Sequence, residues 1–370
     1  MIAVVGGGLP GLAAAARLAR AGHQVVVLER LDSPAGGVAV SGEPGGTVIT
    51  LPAAWRDLFR KSGRVLDAEL ARRGLQLAPA PPRAFRFSDG SALDLPADRA
   101  GQWGAISVAF GEPAAVAWRD LVDGLDRTWQ VVRRVGLESE FTGREQLTRD
   151  VRALLRPGQS IARLAATLPA AQLAELVLDV AARLGQDPRR LPGWHAYRLA
   201  TERTFGRWQL VDGDGTPQPA TALLGLLRDR LAARGVAVRT GVEVTAVRAV
   251  TGGLRVETTA GELPAEAVIS TVDPATHADL TRERADFRIA RRLAPAPAGG
   301  PLWTSWRTLL DLPRVQPARG LVVVASAWSP GGPDAWAQLL TGALAAYRVH
   351  AELTGEDMRP TNKAYRLPRR

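Results

Sequence analysis

The sequence lacks cysteine altogether, which excludes disulfides, thiolate metal sites, cysteine nucleophiles and cofactors attached through a cysteine. It also lacks any stretch of about 18 uncharged apolar residues, so no transmembrane helix is expected. The first apolar segment starts at Ile2 with no basic leader ahead of it. We therefore expect no secretory signal and a cytoplasmic protein, long enough at 370 residues to bury a sizeable core in two parts.

Lysine is the other scarce residue. Of the 47 basic residues only Lys61 and Lys363 are lysines, and the formal net charge is +10. The arginines are spread along the chain in pairs such as Arg72-Arg73, with no long basic run. This distribution does not favour nucleic-acid binding, but weak attraction to an anionic membrane surface stays an alternative.

The amino terminus, MIAVVGGGLPGLAAAARLARAGHQVVVLER, predicts a strand, a glycine-rich turn, a helix and a second strand. Gly6 permits the tight turn after the strand, Gly8 lets the backbone approach a pyrophosphate, and Gly11 lets the helix pack closely on the strand. The N-terminus of the helix, predicted from Leu12 to Ala21, offers unpaired N–H groups and a positive dipole end to phosphates. The alternative is a βαβ unit that binds nothing.

An acidic residue ends the second predicted strand. Glu29 lies eighteen residues after Gly11. Its carboxylate can accept two hydrogen bonds from a ribose diol, whereas it would repel a ribose that carries a 2′-phosphate. The pattern therefore predicts a dinucleotide site and disfavours NADP as its ligand.

Beyond this unit the chain reads as two similar parts separated by a helical block. The pattern predicts a helix from Pro52 to Gly74, a hairpin around Asp89-Gly90, and helices from about 112 to 200. We expect a doubly wound α/β sheet built from both ends of the chain, with the helical block inserted. The later segments are the helix TALLGLLRDRLAARG, the strands VAVRTGVEVTAVRAV, LRVETTAG, EAVISTVDP and GLVVVAS, and a closing helix from about Asp334 to Leu353.

Together these segments resemble the FAD-dependent phytoene desaturase and amine oxidase superfamily. The resemblance rests on the N-terminal unit, TVITLPAAWRDLFRKSGR, FRFSDGSALDLP, VAVRTGVEVTAV, AEAVISTVDP and the final SPGGPDAWAQLLTGALAAYRVHAELTGEDMRPTN. It implies a Rossmann-like, GR2-type FAD-binding domain with an inserted, largely helical substrate domain. The implied boundaries are 1–80, 206–274 and 319–370 for the discontinuous FAD-binding domain, and 81–205 and 275–318 for the substrate domain.

The resemblance also implies roles for particular residues. Gly6, Gly8 and Gly11, with Leu9 and Pro10, would hold the FAD pyrophosphate, and Glu29 would hold the adenosine ribose. The segment TVITLP would flank the isoalloxazine, and the helix N-terminus near Asp334 would stabilise negative charge on the reduced flavin. The remaining implied cofactor-binding residues are Arg30, Gly36 and Gly37 near the pyrophosphate and ribityl chain, Val244 at the adenine, Gly331, Gly332 and Trp336 at the ring, and Ser326 where relatives carry a Gly-Asp pair.

Other side chains have both a functional and a structural interpretation. The tryptophans could line an apolar tunnel, with Trp328 and Trp336 nearest the flavin, but core packing explains them equally well. The four histidines show no HxxxH or HExxH spacing, so no metal site is expected and each is interpreted as structural. Asp273 could lie near the ligand, but the sequence DPATHADL favours a helix cap.

The sequence analysis thus predicts an FAD-dependent oxidoreductase that desaturates or oxidises an apolar, isoprenoid-like or natural-product substrate by hydride transfer to flavin N5. No catalytic side chain, electron acceptor or oligomeric state is assigned, and peripheral membrane contact stays an alternative. Two other hypotheses remain: a flavoprotein isomerase or cyclase without net redox turnover, and a binding homologue without catalysis. The isomerase or cyclase hypothesis is supported by the segment VVVASAWSPGG, which has Ala325 and Ser326 in place of Gly-Asp, and by the short segment between Asp273 and Gly320, where relatives place a long substrate sheet.

Overall fold

The computed structural model describes residues 1–34, 40, 46–281, 293–294, 302–311, 316–325 and 328–359. Its strands are β1 (Ile2–Val5), β2 (Val25–Leu28), β3 (Val48–Thr50), β4 (Gln76–Pro79), β5 (Arg83–Arg86), β6 (Ala92–Leu95), β7 (Arg207–Val211), β8 (Pro217–Gln218), β9 (Ala237–Arg239), β10 (Val244–Val250), β11 (Gly253–Thr258), β12 (Gly261–Ala265), β13 (Ala267–Ser270), β14 (Leu293–Ala294), β15 (Leu302–Trp303) and β16 (Leu321–Val323). Its α-helices are α1 (Leu9–Arg20), α2 (Ala53–Ser62), α3 (Leu66–Ala71), α4 (Arg99–Phe110), α5 (Glu112–Arg134), α6 (Arg149–Leu154), α7 (Ile161–Ala165), α8 (Ala171–Arg183), α9 (Tyr197–Phe205), α10 (Ala222–Ala233), α11 (Pro274–Thr281), α12 (Thr308–Asp311) and α13 (Ala335–Thr354).

A parallel sheet in the order β16-β13-β1-β2-β9 forms the centre of the molecule. Strands β1, β2 and β13 are buried on both faces, which fits their apolar runs of Val, Ile, Ala and Leu. One face packs on α1, α10 and α13, and the other packs on the strands β10, β11 and β12. Strands β1 and β2 from the amino-terminal end lie side by side between β13 and β9 from the later part of the chain, and β16 forms the edge next to β13. The expected doubly wound α/β fold is thereby confirmed.

Among the described residues, four smaller antiparallel sheets lie outside this centre, one of them the pair β14 and β15. Strands β10, β11 and β12 form an antiparallel meander between β9 and β13. Strand β7 pairs antiparallel with β3, β4 and β8, and β5 pairs with β6 in the predicted hairpin. Helices α4 to α9 follow one another between β6 and β7, whereas the β10-β12 meander packs on the parallel sheet.

The structure corrects two helix boundaries. The single helix predicted from Pro52 to Gly74 is broken into α2 and α3, because Gly63 adopts φ +154°, a backbone conformation incompatible with a continuing helix. The helical block starts at Arg99, not near 112, since the Asp98 carboxylate accepts a 2.7 Å hydrogen bond from Gly101 N–H and caps α4.

The closing helix α13 packs closely on α1. A Cβ on Gly342 would lie 2.4 Å from the Pro10 carbonyl oxygen, so glycine is needed for the two backbones to approach. The observed bounds of α13 agree with the expected helix from about Asp334 to Leu353. Within the described ranges, no helix combines the length and apolarity needed to span a bilayer.

Candidate dinucleotide site

The glycine loop lies at the carboxyl ends of β1 and β13. Gly6 adopts φ +98°, and the Thr271 hydroxyl lies 2.9 Å from the Val5 carbonyl oxygen and 3.1 Å from that of Gly6. A Cβ on Gly6 would come within 2.5 Å of the Thr271 Oγ1, and one on Gly11 within 2.3 Å of the Gly6 oxygen. Both positions therefore require glycine for the turn and for the packing of α1 on β1.

Gly8 differs from its neighbours because its missing side chain faces space. A Cβ there would meet only Pro10 Cδ, at 3.7 Å, and its φ of −70° is open to any residue. Gly8 is the N-cap of α1, and the first turn has neither a side-chain cap nor an acidic residue. The N-terminal N–H groups of α1, such as those of Leu9 and Gly11, are thus left for an anion, as pyrophosphate binding requires.

The Glu29 carboxylate points back at this loop. Its Oε2 accepts a 2.6 Å hydrogen bond from Gly7 N–H, and its Oε1 accepts a 2.8 Å bond from Leu31 N–H. A carboxylate has about four acceptor positions, so two remain for a ribose diol. A Cβ on Gly7 would lie 3.0 Å from Glu29 Oε2, so a side chain there would push the carboxylate away by a few tenths of an ångström. The residues present therefore fit an adenine dinucleotide.

The other predicted residues at this edge are only partly defined. Arg30 is exposed directly after Glu29, and no described residue supports or opposes its predicted role. Val244 opens β10, close to the Val242 N–H that donates to the Glu29 carbonyl oxygen at 3.0 Å. Its contact with adenine stays a prediction. The predicted residues Gly36, Gly37 and Ser326 lie outside the described residues.

The turn before α13 contains the residues predicted at the flavin ring. Gly332 adopts φ +60°, and a Cβ on Gly331 would collide with Ala337 Cβ at 2.4 Å. Trp336 is buried and meets the Trp129 ring edge to face, with centroids 5.3 Å apart. The turn geometry alone thus explains the two glycines, and their proximity to a flavin stays a prediction.

The segment TVITLP contains a strained residue. Within the described ranges Leu51 is the one non-glycine residue with a positive φ, +49°, and it is buried. The left-handed region costs a residue of this type about 1–2 kcal/mol. Such strain concentrates at functional sites, which supports the predicted place of this segment beside the cofactor.

A buried cluster around Arg198 was not singled out by the sequence. The guanidinium donates from one nitrogen to the Gly331 carbonyl oxygen at 2.9 Å, lies 3.0 Å from His195 Nδ1, and places Nε 3.0 Å from Asp334 Oδ2. His195 Nε2 in turn lies 2.7 Å from the Trp303 carbonyl oxygen. Because Arg198 can only donate, His195 accepts at Nδ1 and donates from Nε2.

Burial decides the charge states in this cluster. Desolvation, reinforced by Arg198, holds the pKa of His195 well below its usual range, so His195 is neutral. Desolvation also raises the pKa of Asp334, although Arg198 opposes this shift. The cluster connects three segments that are far apart in sequence. Its only sequence signal is the three-residue spacing of His195 and Arg198, which is too common to be diagnostic.

Aromatic rings extend from this cluster into the core. Tyr197 stacks between Trp129 and Trp194, with centroids 6.0 Å and 6.2 Å away. Within the described part of the chain, the Tyr197 hydroxyl and the indole nitrogens of Trp129 and Trp194 have no hydrogen-bond partner. Buried polar atoms without a partner commonly mark a bound group or a water.

The remaining candidates fit their structural interpretation. The Asp273 carboxylate accepts hydrogen bonds from Ala275 and Thr276 N–H at 3.0 Å and 3.1 Å, so it caps α11. His23 Nε2 lies 2.9 Å from His350 Nδ1 and connects the end of α1 to α13. Seven of the ten tryptophans are buried in the core: Trp55, Trp118, Trp129, Trp194, Trp303, Trp328 and Trp336.

Comparison with known proteins agrees with this geometry. Residues 4–69 match the family model of the NAD(P)-binding Rossmann-like domain. The chain is 33% identical to hydroxyneurosporene desaturase of Cereibacter sphaeroides over 291 residues, which cover 74% of this chain and 56% of that protein. It is 38% identical to phytoene dehydrogenase of Streptomyces griseus over 152 residues, covering 40% of this chain and 29% of the relative.

Solved structures show the same fold. Putrescine oxidase bound to putrescine matches with a TM-score of 0.59 at 14% identity, covering 95% of this chain and 98% of the other. Cyclohexylamine oxidase from Brevibacterium oxydans matches with a TM-score of 0.58 at 12% identity, covering 95% and 99%. At such identities the likeness concerns the fold alone.

The parallel sheet, the glycine loop and Glu29 define a Rossmann-type dinucleotide-binding protein. Within that class, the chain is similar in sequence to hydroxyneurosporene desaturase and phytoene dehydrogenase, and its fold is that of putrescine oxidase and cyclohexylamine oxidase. The glycine loop and Glu29 fit the pyrophosphate and adenosine parts of FAD. The chain spans 56% and 29% of the lengths of the two desaturase relatives.

Proposed function

We propose that this protein is an FAD-dependent oxidoreductase that removes a hydride from an apolar substrate. The observation that carries the proposal is the glycine loop with Glu29 fixed at its edge. The loop leaves N–H groups for a pyrophosphate, and the carboxylate has acceptor positions for a ribose. A ribose that carries a 2′-phosphate is disfavoured there by charge repulsion.

Bound FAD supplies an acceptor for a hydride, and the chain supplies binding, orientation and exclusion of water. The glycine loop and the start of α1 hold the phosphates through backbone N–H groups, and Glu29 holds the adenosine end. The turn at Gly331 and the strained segment at Leu51 would enclose the ring end. Such a reaction needs no side-chain nucleophile.

The apolar nature of the substrate is supported by two observations. The relatives hydroxyneurosporene desaturase and phytoene dehydrogenase are named for hydroxyneurosporene and phytoene, which are long apolar molecules. The stacked rings of Trp129, Tyr197 and Trp194 provide a buried aromatic wall next to the turn that precedes α13. We propose desaturation of such a molecule: one carbon loses a hydride to FAD, the adjacent carbon loses a proton to solvent, and oxygen, a quinone or another acceptor then takes up the electrons.

The test starts with the absorbance spectrum of the purified protein and identification of the released cofactor. Anaerobic mixing with phytoene or hydroxyneurosporene in micelles should bleach the flavin band near about 450 nm in a stoichiometric single turnover. Product formation without bleaching would instead favour an isomerase or cyclase. A colourless protein that gains no FAD on reconstitution would favour a binding homologue and refute the proposal.

A further inference from the structure

The N-cap residue of α13 does not cap its helix. Asp is among the preferred N-cap residues because its side chain accepts a hydrogen bond from the first-turn N–H groups. Asp98 does this for α4, at 2.7 Å from Gly101 N–H. Asp334 occupies the same position on α13 but makes no side-chain hydrogen bond to the helix. Something else must hold its carboxylate away.

Arg198 is the group that holds it. Its Nε lies 3.0 Å from Asp334 Oδ2, and the side chain of Arg198 is only 8% exposed. Two further contacts fix the guanidinium, to the Gly331 carbonyl oxygen at 2.9 Å and to His195 Nδ1 at 3.0 Å. His195 Nε2 in turn donates a 2.7 Å hydrogen bond to the Trp303 carbonyl oxygen. These contacts hold the guanidinium in position independently of Asp334.

The consequence appears in the first turn of α13. The N–H groups of Ala337 and Gln338 bond to the Asp334 carbonyl oxygen. Among the described residues, none accepts a hydrogen bond from the N–H groups of Ala335 or Trp336, although both residues are buried. Buried backbone donors need an acceptor, and a helix N-terminus favours a negatively charged one.

We propose that Arg198 is a positioning residue that draws the Asp334 carboxylate off the N-terminus of α13, so that the first N–H groups of that helix are available to the flavin. This inference rests on the proposed function. Without Arg198, the Asp334 carboxylate is free to turn onto its own helix, occupy those N–H groups and place a negative charge there. Asp334 then competes with the flavin.

The test uses the full-length protein and two measurements that do not depend on turnover. One is the dissociation constant of FAD by calorimetry, and the other is the affinity of the bound flavin for sulfite, which adds at N5 and responds to charge near the ring. Arg198→Met should weaken both by about tenfold, the size of a charge interaction at a partly buried helix end. For a two-electron couple, tenfold corresponds to about 30 mV in potential.

The second substitution distinguishes competition from simple loss of structure. Arg198→Met combined with Asp334→Ala removes the competing carboxylate, so FAD and sulfite affinities should return to within about threefold of the wild type. A double variant as weak as Arg198→Met, or weaker, would overturn the proposal. If Arg198→Met alone does not fold, the double variant still decides, because removing both partners of a buried ion pair is tolerated better than removing one.

A second ion pair provides the control, since its arginine also lies on α9, the helix that contains Arg198. Arg203 and Asp123 lie 2.7 Å apart, and the Arg203 side chain is 9% exposed. Arg203→Met should leave sulfite affinity unchanged, and an equal effect there would refute a specific role for Arg198. A wild-type protein that binds no FAD refutes the proposed function itself, whereas FAD binding with no response to Arg198→Met refutes only the role of Arg198.

Discussion

Gly8 and Gly11 of the amino-terminal loop differ in the atoms that an added methyl group would contact. A Cβ on Gly8 faces open space, whereas one on Gly11 lies 2.3 Å from the Gly6 carbonyl oxygen. Gly8→Ala should therefore leave the free energy of unfolding within about 0.5 kcal/mol of the wild type. It should weaken FAD binding by about 5- to 150-fold, because the methyl group enters the space proposed for the pyrophosphate.

Gly11→Ala, in contrast, should act mainly on the free energy of unfolding and not on contacts with FAD. Overpacking between α1 and β1 should lower the free energy of unfolding of the cofactor-free protein by about 1–3 kcal/mol or more. Denaturant melts of both variants without FAD, followed by calorimetry with FAD, check the pair. If Gly8→Ala binds FAD as tightly as the wild type, the pyrophosphate does not lie where we propose.

Glu29 has both a structural role and a proposed binding role. The substitution Glu29→Gln removes the negative charge of this side chain but keeps its size and shape. The amide nitrogen cannot accept the hydrogen bond from Gly7 or Leu31 N–H, and the ribose loses a charged acceptor. We expect FAD affinity to fall by about 10- to 150-fold, since hydrogen bonds to charged groups contribute about 1.5–3 kcal/mol.

The control for Glu29 is Glu175→Gln. The Glu175 carboxylate also accepts a hydrogen bond from a backbone N–H, that of Ser88, but it lies in the helical block. Its substitution should leave the dissociation constant of FAD unchanged in calorimetry. Equal losses in the two variants would indicate a general effect on folding and contradict a ribose contact at Glu29.

Among the elements, the pair α1 and α13 depends on one small residue. The Cβ of Gly342→Ala would lie 2.4 Å from the Pro10 carbonyl oxygen and 3.0 Å from Ala13 Cβ, so the helices must separate. We expect the free energy of unfolding to fall by about 1–3 kcal/mol in denaturant melts. Gly124→Ala in α5 is the control, since nothing lies within 4 Å of its Cβ. It should instead gain about 0.5–1 kcal/mol from helix propensity.

His23, which follows α1, contacts His350 of α13. Because His23 titrates differently in the folded and unfolded states, the stability of the fold should depend on pH. Burial, and then the neighbouring His350, lower the pKa of His23 below 6.5, although Glu266 opposes the shift. Folding therefore favours neutral His23, so its contribution is present above about pH 6.5 and is lost as pH falls through the lower folded value. His23→Gln should flatten the fall of Tm between about pH 7 and pH 5.

Part of that pH dependence should survive in His23→Gln. The pKa of buried His195 is also lowered, so its contribution is lost in the same direction as pH falls. A variant whose Tm declines as steeply as that of the wild type would assign the whole effect to His195 and contradict a contribution from His23. Thermal melts at constant ionic strength measure both slopes.

Sequence predicted those elements whose determinants are local. The unit β1-α1-β2 follows from alternation of apolar runs with a glycine turn, and Glu29 follows from its distance to that turn. The contacts of Thr271 and Arg198 were not predictable, because their partners Gly6 and Gly331 lie 265 and 133 residues away. The break at Gly63 was missed, since a glycine inside a periodic segment is often tolerated in a helix.

At the scale of the whole molecule, buried apolar residues form two large clusters. The first contains the parallel sheet strands with α1, α10 and α13, and the second contains the β5-β6 hairpin with α4, α7 and α8. Helix α5 contributes Trp118 and Val122 to the second cluster and Trp129 and Val132 to the first. We propose that this helix joins a cofactor-binding domain to a substrate domain, and it does so from inside the predicted substrate segment 81–205 and not at one of its boundaries.

If the two clusters unfold separately, FAD should stabilise them unequally. At 100 times its dissociation constant, a ligand that binds only the folded form stabilises it by about 2.7 kcal/mol, or about 100-fold in the opening equilibrium. Hydrogen exchange should therefore slow by about this factor at amides of β1, β2 and β13, but by less than about threefold at amides of α8. FMN at the same concentration is the matched ligand, and it should protect less because it lacks the adenosine that Glu29 would hold. Equal protection of α8 and the parallel sheet by FAD would mean that the molecule opens as one unit and that the proposed domain division is wrong.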